Sequence, residues 1–355
     1  MKYRKSIYLA AAVMAISALA ACGNSGEEPA KQKQRQDQDA PRYEIRFTSN
    51  LTGLDAEATR AAGNFTTYTM GQEFWVWSDM YDDTEKETSP YFNAWQLTVS
   101  SINSKFVTNS SKSFPAYNWL HFYTMHGNFS ETFEEEDLAN DDPGTEWPTV
   151  LYHSVKTEQL RDADYQESDL VYAINRNMHP SSDPVNLEFK HLLSQVEVAL
   201  VAGKGLTVEE LSNSSLTTKP TVELLDVKTK VEFRPSKEAE MDTYAKRELM
   251  LSNASEVANI AMSAVATDDI SKSTCGAAVV VPQTVNGNFI RISYLGCQTY
   301  VKVNNLRLKS GFRYRFNVTV DRLGGTHEFT PVTVEAWGTA TSESLWLDTV
   351  PVQEQ

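Results

Sequence analysis

Cysteine is scarce in this chain, whose 355 residues include three, at Cys22, Cys275 and Cys297. So few cysteines exclude the dense disulfide network that stabilises many small secreted domains. Histidine is also rare, with six residues, and the sequence contains neither a His-Glu-x-x-His motif nor a paired Cys-x-x-Cys motif. Because such spacings are what bring zinc ligands together, we expect no metal site.

Catalytic motifs are missing as well. The sequence has no Gly-x-Ser-x-Gly nucleophile elbow and no glycine-rich phosphate loop ahead of a helix, which excludes the commonest hydrolase and nucleotide-binding signatures. The acidic pairs Asp82-Asp83 and Asp141-Asp142 lack the spacing of a calcium loop. We therefore expect no enzymatic activity and no cofactor.

Positive charge is in deficit. The chain has 32 Lys and Arg residues against 47 Asp and Glu residues, a net charge of −15. An acidic surface repels phosphate backbones and anionic lipid headgroups, so we expect no nucleic-acid partner.

Only one long apolar run occurs, at residues 7–21, and it follows the basic residues Lys2, Arg4 and Lys5. This run is shorter than the roughly 20 apolar residues of a membrane span, and its basic flank is typical of a signal peptide, predicted here at residues 1–21. The ending Leu19-Ala20-Ala21-Cys22 resembles a bacterial lipobox, which implies that the chain is cut before Cys22 and that this cysteine carries the lipid, palmitate included. An ordinary signal peptide with a chance cysteine is the alternative. Because Gly23 is not the usual aspartate inner-membrane retention signal, we expect a lipoprotein of the outer membrane.

The sequence pattern of the mature chain predicts a polar tether followed by short strands. Residues 22–42 are polar and predict a disordered tether. Alternation of apolar and polar residues begins at Tyr43, whereas the one short helix candidate is residues 207–211. Further strand candidates are residues 74–80, 95–99, 120–125, 170–174, 185–189, 195–201, 221–227, 277–281, 289–294, 299–303, 314–321 and 332–337. This pattern predicts an all-β fold of antiparallel β-sandwiches.

We place a domain boundary at Asp183-Pro184, which follows a polar loop and precedes a new set of strands. The predicted N-terminal domain is residues 43–185, the C-terminal domain is residues 186–343, and residues 344–355 form a tail. Residues 130–149 are acidic and predict a surface loop.

A hairpin is predicted around Asn286-Gly287-Asn288, with strands 279–281 and 289–292 on either side. Cys275 and Cys297 lie at equal distances from its centre, so a cross-strand disulfide between them could form in an oxidising compartment. Two separate thiols are equally compatible with the sequence, if the strands diverge.

Tryptophans are concentrated in the N-terminal half. Exposed aromatic rings on a β-sandwich can stack on sugars, and Trp147, in a loop between prolines, is the best candidate for an exposed position. Aromatic residues in alternating strands more often fill the core. A monomeric surface lipoprotein that binds glycan or another host ligand is therefore the alternative function.

Several segments resemble the fimbrillin-like proteins that build type V pili of Gram-negative anaerobes. They follow one another over nearly the whole mature chain: Glu57-Ala58-Thr59-Arg60-Ala61, Phe74-Trp75-Val76-Trp77, Leu120-His121-Phe122-Tyr123, Ser168-Asp169-Leu170-Val171-Tyr172-Ala173, Leu187-Glu188-Phe189-Lys190-His191-Leu192-Leu193, Val280-Val281-Pro282-Gln283, Leu306-Arg307-Leu308-Lys309-Ser310-Gly311, Tyr314-Arg315-Phe316-Asn317-Val318 and Trp337. The resemblance implies two tandem transthyretin-like β-sandwich domains. It also implies assembly by strand exchange, in which an arginine-specific protease releases the first strand and a strand of another pilus subunit replaces it.

Residues 43–49 are the predicted removable strand, with Tyr43, Ile45 and Phe47 as the side chains whose pockets would be vacated. Loss of this strand would leave unpaired backbone groups and an apolar trough, which favours addition of another strand. In residues 344–352 of the tail, Leu345, Leu347 and Thr349 alternate with other residues and are predicted to form the donor strand. The same tail could instead be a last edge strand or remain disordered.

Arg60 is the predicted processing site, because it follows the first strand in a segment of small and polar residues, 55–63. Arg42 and Arg46 are alternatives, although a cut at Arg42 would spare the predicted strand and Arg46 lies inside it. Arg60 could also be an ordinary surface arginine of an uncleaved subunit. We thus expect a precursor anchored to the outer membrane by lipid that becomes a structural or tip subunit of a cell-surface fimbrium. Its expected partners are other pilus subunits, the arginine-specific protease and a host glycan or protein for adhesion.

Overall fold

A computed structural model describes residues 42–49, 71–82, 84, 86–100, 106–212, 220–263, 265–267, 276–328 and 333–337. Within these ranges the backbone forms twenty β-strands in four sheets and only short helices. The all-β prediction is confirmed, and the sheets pack in sandwich-like layers. No helix in the described ranges is long and apolar enough to cross a membrane.

The N-terminal half is built on a six-stranded antiparallel sheet. Its strands are β2 (Glu73–Asp82), β3 (Glu87–Val99), β4 (Phe106–Thr108), β5 (Trp119–His126), β8 (Val171–Met178) and β10 (Lys190–His191). Their order across the sheet is β10-β8-β5-β2-β3-β4. Apolar residues occupy both faces of the central strand β2, since Phe74 and Val76 enter one hydrophobic cluster while Trp77 enters another. A strand that is covered on both sides loses the simple alternation of apolar and polar residues.

One face of this sheet is covered by a two-stranded parallel sheet of β1 (Phe47–Ser49) and β9 (Val185–Leu187). Between the two layers lies an aromatic cluster that includes Phe74, Trp95 and Phe122. Ile45 and Phe47, which lead into or belong to β1, therefore help to complete the core of this half.

Two further sheets are formed mainly by the C-terminal half, with two short strands from the N-terminal half. A seven-stranded sheet consists of β6 (Leu151–Ser154), β7 (Glu158–Gln159), β12 (Thr221–Phe233), β13 (Leu251–Met262), β16 (Gln283–Tyr294), β17 (Cys297–Leu308) and β19 (Gly325–Glu328). A five-stranded sheet consists of β11 (Ser194–Ala202), β14 (Val265–Thr267), β15 (Gly276–Val280), β18 (Phe312–Val320) and β20 (Thr333–Ala336). Their apolar faces share one large cluster, which includes Val198, Phe289 and Phe316.

The large cluster also reaches the second face of the six-stranded sheet through Trp77, Tyr123 and Tyr172. Strands β6 and β7 precede the predicted boundary at Asp183-Pro184, yet they pair with β12 and β13 from beyond it. The division into residues 43–185 and 186–343 remains a prediction.

The helices are α1 (Asp162–Glu167), α2 (Val208–Ser212) and α3 (Tyr244–Glu248), with a 3-10 helix at Leu138–Asn140. Helix α2 confirms the predicted helix at residues 207–211. The Thr207 hydroxyl accepts a hydrogen bond from the Glu210 backbone N–H at 3.2 Å, and the Thr207 N–H donates to the Glu210 carboxylate at 3.0 Å. This reciprocal pair satisfies backbone donors that a helix start leaves open.

The predicted hairpin around Asn286-Gly287-Asn288 is wrong. These residues lie inside β16, which pairs with β12 and β17, whereas β15 pairs with β11. Gly287 has φ +83° and sits at a register shift of the β16–β17 ladder. A bulge and a tight turn both need a residue that tolerates positive φ, so the same glycine signal fits either one.

Candidate functional site

Residues 43–49, named here the N-terminal segment, lie in a groove on the six-stranded sheet. Ile45 and Phe47 are 3% and 6% exposed. The Phe47 ring meets the rings of Trp95 and Phe122 edge-on, with centroids 5.6 and 5.3 Å apart. Tyr43 is half-buried against the same cluster. The three predicted side chains of the first strand therefore all face the apolar core.

The backbone of the N-terminal segment pairs with two short pieces of chain, not with one long strand. The Ile45 N–H donates to the Lys112 carbonyl, and the Phe114 N–H donates to the Tyr43 carbonyl, both at 2.8 Å. Farther along, the Val185 N–H donates to the Arg46 carbonyl at 2.8 Å, and β1 continues in parallel register with β9. Removal of the segment would leave polar backbone groups unpaired at both of these edges.

Lys112 also forms part of the groove wall. Its ammonium group lies 2.7 Å from Glu136 and stands over the rings of Phe92 and Trp95, at 5.3 and 5.7 Å from their centroids. Sequence reasoning predicted a strand at residues 185–189, which β9 confirms, but it missed the Lys112 wall and the pairing of β9 with the N-terminal segment, because both lie far along the chain from Phe47. The only sequence signal was the apolar alternation at residues 185–189.

Arg46 is exposed, and its guanidinium donates to the Ser182 carbonyl. Its backbone carbonyl is paired with Val185. A protease needs an extended and accessible backbone at the cleaved bond, so a cut at Arg46 would require this pairing to open first.

Other predicted site residues lie outside the described ranges: Cys22, Arg60, Cys275, Leu345, Leu347 and Thr349. Cys297 is half-buried at the start of β17. The Cys275–Cys297 disulfide stays a prediction, and the hairpin that suggested it does not form.

Two buried histidines, His153 and His191, make structural contacts. His153 is fully buried; its Nδ1 accepts from the Asn128 N–H and its Nε2 donates to the Ser168 carbonyl, both at 3.0 Å. Burial lowers the pKa of His153 to about 4, so the ring is neutral near pH 7. His191 packs flat on Trp337 with centroids 3.8 Å apart, and its Nδ1 lies 2.8 Å from the Asp169 carboxylate. No group of three or more metal-ligating side chains occurs in the part of the chain that the structure describes.

Trp147, the best candidate for an exposed ring under the alternative glycan-binding function, does not have the expected exposure. Its ring is half-buried and meets Trp77 and Tyr123 edge-on, with centroids 5.6 and 5.4 Å apart. The acidic loop around it folds onto the sheet, where the Trp77 indole N–H donates to the Thr145 carbonyl at 2.8 Å. A large apolar ring next to an open sheet face gains more from burial than from exposure.

Comparison with known proteins shows which family the chain resembles in sequence and in fold. The sequence model of the fimbrillin-like family matches residues 59–337. No curated protein matches the chain. Among solved structures, a candidate cell adhesion protein from Bacteroides uniformis superposes with a TM-score of 0.51 at 14% identity, over 83% of this chain and 98% of that one. A candidate cell adhesion protein from Bacteroides ovatus superposes with a TM-score of 0.51 at 16% identity, over 84% of this chain and 98% of that one. At such identities the similarity shows the fold.

Proposed function

The chain belongs to the fimbrillin-like family, and on this basis we propose that it is the lipid-anchored precursor of a cell-surface pilus subunit that supports adhesion. In this proposal Cys22 holds the precursor in the outer membrane, and an arginine-specific protease releases the N-terminal segment. A strand of another subunit then fills the vacated groove. The naming of two solved relatives as candidate cell adhesion proteins supports the adhesive role.

The N-terminal segment is the observation that carries the proposal. It buries Ile45 and Phe47 in an aromatic groove, yet only short pieces of chain pair with it. Its departure would expose the rings of Trp95 and Phe122 together with unpaired backbone donors and acceptors. Such an edge is the template for β-strand addition, in which the backbone provides affinity and alternate side chains provide specificity.

The tail has a matching pattern. In the groove, Ile45, Phe47 and Ser49 point inward at every second position, as two large apolar residues and a small hydroxyl residue that is 7% exposed. Leu345, Leu347 and Thr349 repeat this order of residue types at the same spacing. Because side chains of a strand alternate between faces, all three could enter the vacated pockets, and we propose residues 344–352 as the donor strand.

The processing site must lie after the N-terminal segment, because a cut before it leaves the groove filled. Arg60 meets this requirement, whereas the bond after Arg46 lies within paired backbone. We therefore propose Arg60 as the site and keep Arg46 as the alternative.

Brief digestion of the purified precursor with an arginine-specific protease tests the proposal. We expect a new N-terminus at Ala61 and a ladder of multimers that survives SDS without boiling. Arg60→Lys should abolish both, while Arg46→Lys should change neither. Leu347→Asp should leave the cut intact and abolish the ladder, because a carboxylate would enter the apolar groove.

Two results would contradict the proposal in different ways. A clean monomer after cleavage at Arg60 would argue against strand exchange and for a monomeric surface lipoprotein that binds a host ligand. Absence of cleavage near Arg60 would remove the proposed processing site.

A further inference from the structure

Four rings cluster at one end of the six-stranded sheet, and we name them the exposed aromatic cluster: Tyr81, Trp119, His121 and His179. Tyr81 and Trp119 are direct partners in the β2–β5 ladder, with ring centroids 5.8 Å apart. The His179 ring lies 4.4 Å from Trp119, and the His121 ring lies 6.1 Å from Tyr81. His179 is exposed and the other three rings are half-buried.

The exposed aromatic cluster is separate from the core. Along the same face of β2 and β5, the partners Trp77 and Tyr123 are buried, at 1% and 2% exposed. The next pair toward the sheet end is Asp79 with His121, and Asp79 binds Lys237. Tyr81 and Trp119 lie beyond this polar layer. Packing of the core therefore does not explain why both positions carry large rings.

Polar groups lie at the same end of the strands. Asn118 precedes Trp119, and its amide nitrogen donates to the Met80 sulfur at 3.4 Å, an ordinary length for sulfur, and lies 3.5 Å from the Asp82 carboxylate. The contact with Asp82 is at the upper limit of hydrogen-bond length, so a ligand hydroxyl could replace it. Tyr117 lies two residues before Trp119, and 59% of its surface is exposed.

We propose that the exposed aromatic cluster binds a neutral pyranose sugar of a glycan. The C–H face of a pyranose packs on aromatic rings, while its hydroxyls need adjacent polar groups such as the Asn118 amide, next to Trp119 in the chain. The Asp82 carboxylate, within the same rim, disfavours acidic sugars.

The small size of the patch favours a sugar over a protein partner. Tyr and Trp side chains each offer about 150–250 Å² when fully covered, and the rings of Tyr81 and Trp119 are already half-buried. The exposed area thus falls well below the roughly 800 Å² per partner of a stable protein interface. The sugar site lies on residues that the strand exchange does not use, so either proposal can fail alone.

The test uses the uncut precursor and saturation-transfer NMR with four neutral disaccharides, namely lactose, cellobiose, chitobiose and mannobiose. We expect at least one to receive saturation on its ring C–H protons. Trp119→Ala and Tyr81→Ala should each weaken its binding about tenfold, and Trp119→Phe should keep a larger part of it. The control Tyr152→Ala removes an exposed tyrosine, 41% exposed, from strand β6 of the seven-stranded sheet and should change nothing.

Thermal unfolding of each variant shows whether it is folded, and Tyr81→Ala serves if Trp119→Ala does not fold. The proposal is overturned if none of the four disaccharides binds, or if binding survives both ring deletions. Equal or stronger binding of sialyllactose than of lactose would overturn the preference for a neutral sugar.

Discussion

The ammonium group of Lys237 lies 2.7 Å from both carboxylate oxygens of Asp79. This ion pair joins the charged segment that follows β12 to the six-stranded sheet. The same ammonium stands 5.2 Å from the ring centroids of Tyr123 and Trp147. The Tyr172 hydroxyl adds a hydrogen bond to the Ser236 carbonyl at 3.1 Å. These contacts fasten the C-terminal half to the N-terminal half through one segment.

Replacing Lys237 by Met should destabilise the protein by about 2–3 kcal/mol. The change leaves the Asp79 carboxylate, 8% exposed, without its cation, and an unpaired buried charge is costly. Lys156→Met is the control, since Lys156 and Glu167 are also 2.7 Å apart but 39% and 43% exposed. It should cost less than about 1 kcal/mol. Urea unfolding of both variants measures the difference, and equal losses would contradict the prediction.

Phe47→Ala should weaken the N-terminal segment. The Phe47 ring is 6% exposed and contacts Trp95 and Phe122, and truncation of a buried Phe costs about 3–5 kcal/mol. Because the loss is local, hydrogen exchange of the Ile45 and Phe114 amides should speed up more than that of the C-terminal strands. Thr48→Val alters the outward side of the same strand and should leave both rates nearly unchanged. Uniform acceleration over the whole chain would show that the segment does not open by itself.

Acid should destabilise the protein through His153. Burial lowers the pKa of this ring from 6.5 to about 4, so between these values the unfolded chain binds a proton that the folded chain refuses. The stability that His153 provides is complete above pH 6.5 and is lost as the pH falls toward 4, by about 3 kcal/mol in total. Below pH 4 both states carry the proton, and this loss stops growing.

The check is the urea midpoint measured from pH 7.5 to pH 4 for the wild type and for His153→Gln. The variant should show a shallower decline, whereas His179→Gln, which alters an exposed histidine, should follow the wild-type slope. Identical slopes for all three proteins would exclude His153 as the titrating group.

Gly144→Ala should disturb the loop that covers Trp77. Gly144 has φ +66°, and an added Cβ would lie 2.4 Å from the Glu136 backbone nitrogen. Gly287 also has positive φ, +83°, but an added Cβ there meets nothing within 4 Å. Gly287→Ala should therefore cost only the backbone strain of about 1–2 kcal/mol, and Gly144→Ala at least about 2 kcal/mol more. Thermal unfolding compares the pair, and the near-ultraviolet circular dichroism of the tryptophans should change only in Gly144→Ala.

Local features of the fold were predictable because they depend on neighbouring residues. The helix at Thr207 needs only Glu210, three positions away, to form its cap. The strands around Phe74 and Phe122 likewise follow from apolar and aromatic runs between turn residues. Such signals are contained in the segment that uses them.

Features that depend on distant partners were not predictable. Gly287 satisfies both a hairpin turn and a bulge, and the choice of a bulge depends on the flanking strands β12 and β17. Trp147 lies in a polar, proline-bounded loop that suggests exposure, yet the neighbouring Trp77 and Tyr123 bury it. Glycine at position 287 was compatible with a turn or a bulge, and tryptophan at position 147 was compatible with an exposed or a buried position.

The candidate site also has features that were predictable from the sequence and features that were not. Alternation alone indicated that Tyr43, Ile45 and Phe47 share one face, because side chains of a strand point to opposite sides in turn. It could not show that the Lys112 carbonyl and the Val185 N–H form the two edges of the groove. The sequence by itself determined the all-β class, the inward face of the first strand and the segments that match the fimbrillin-like family. Only the tertiary structure decided which distant segments meet that strand, because backbone pairing uses groups that every residue carries and that therefore leave no sequence signature.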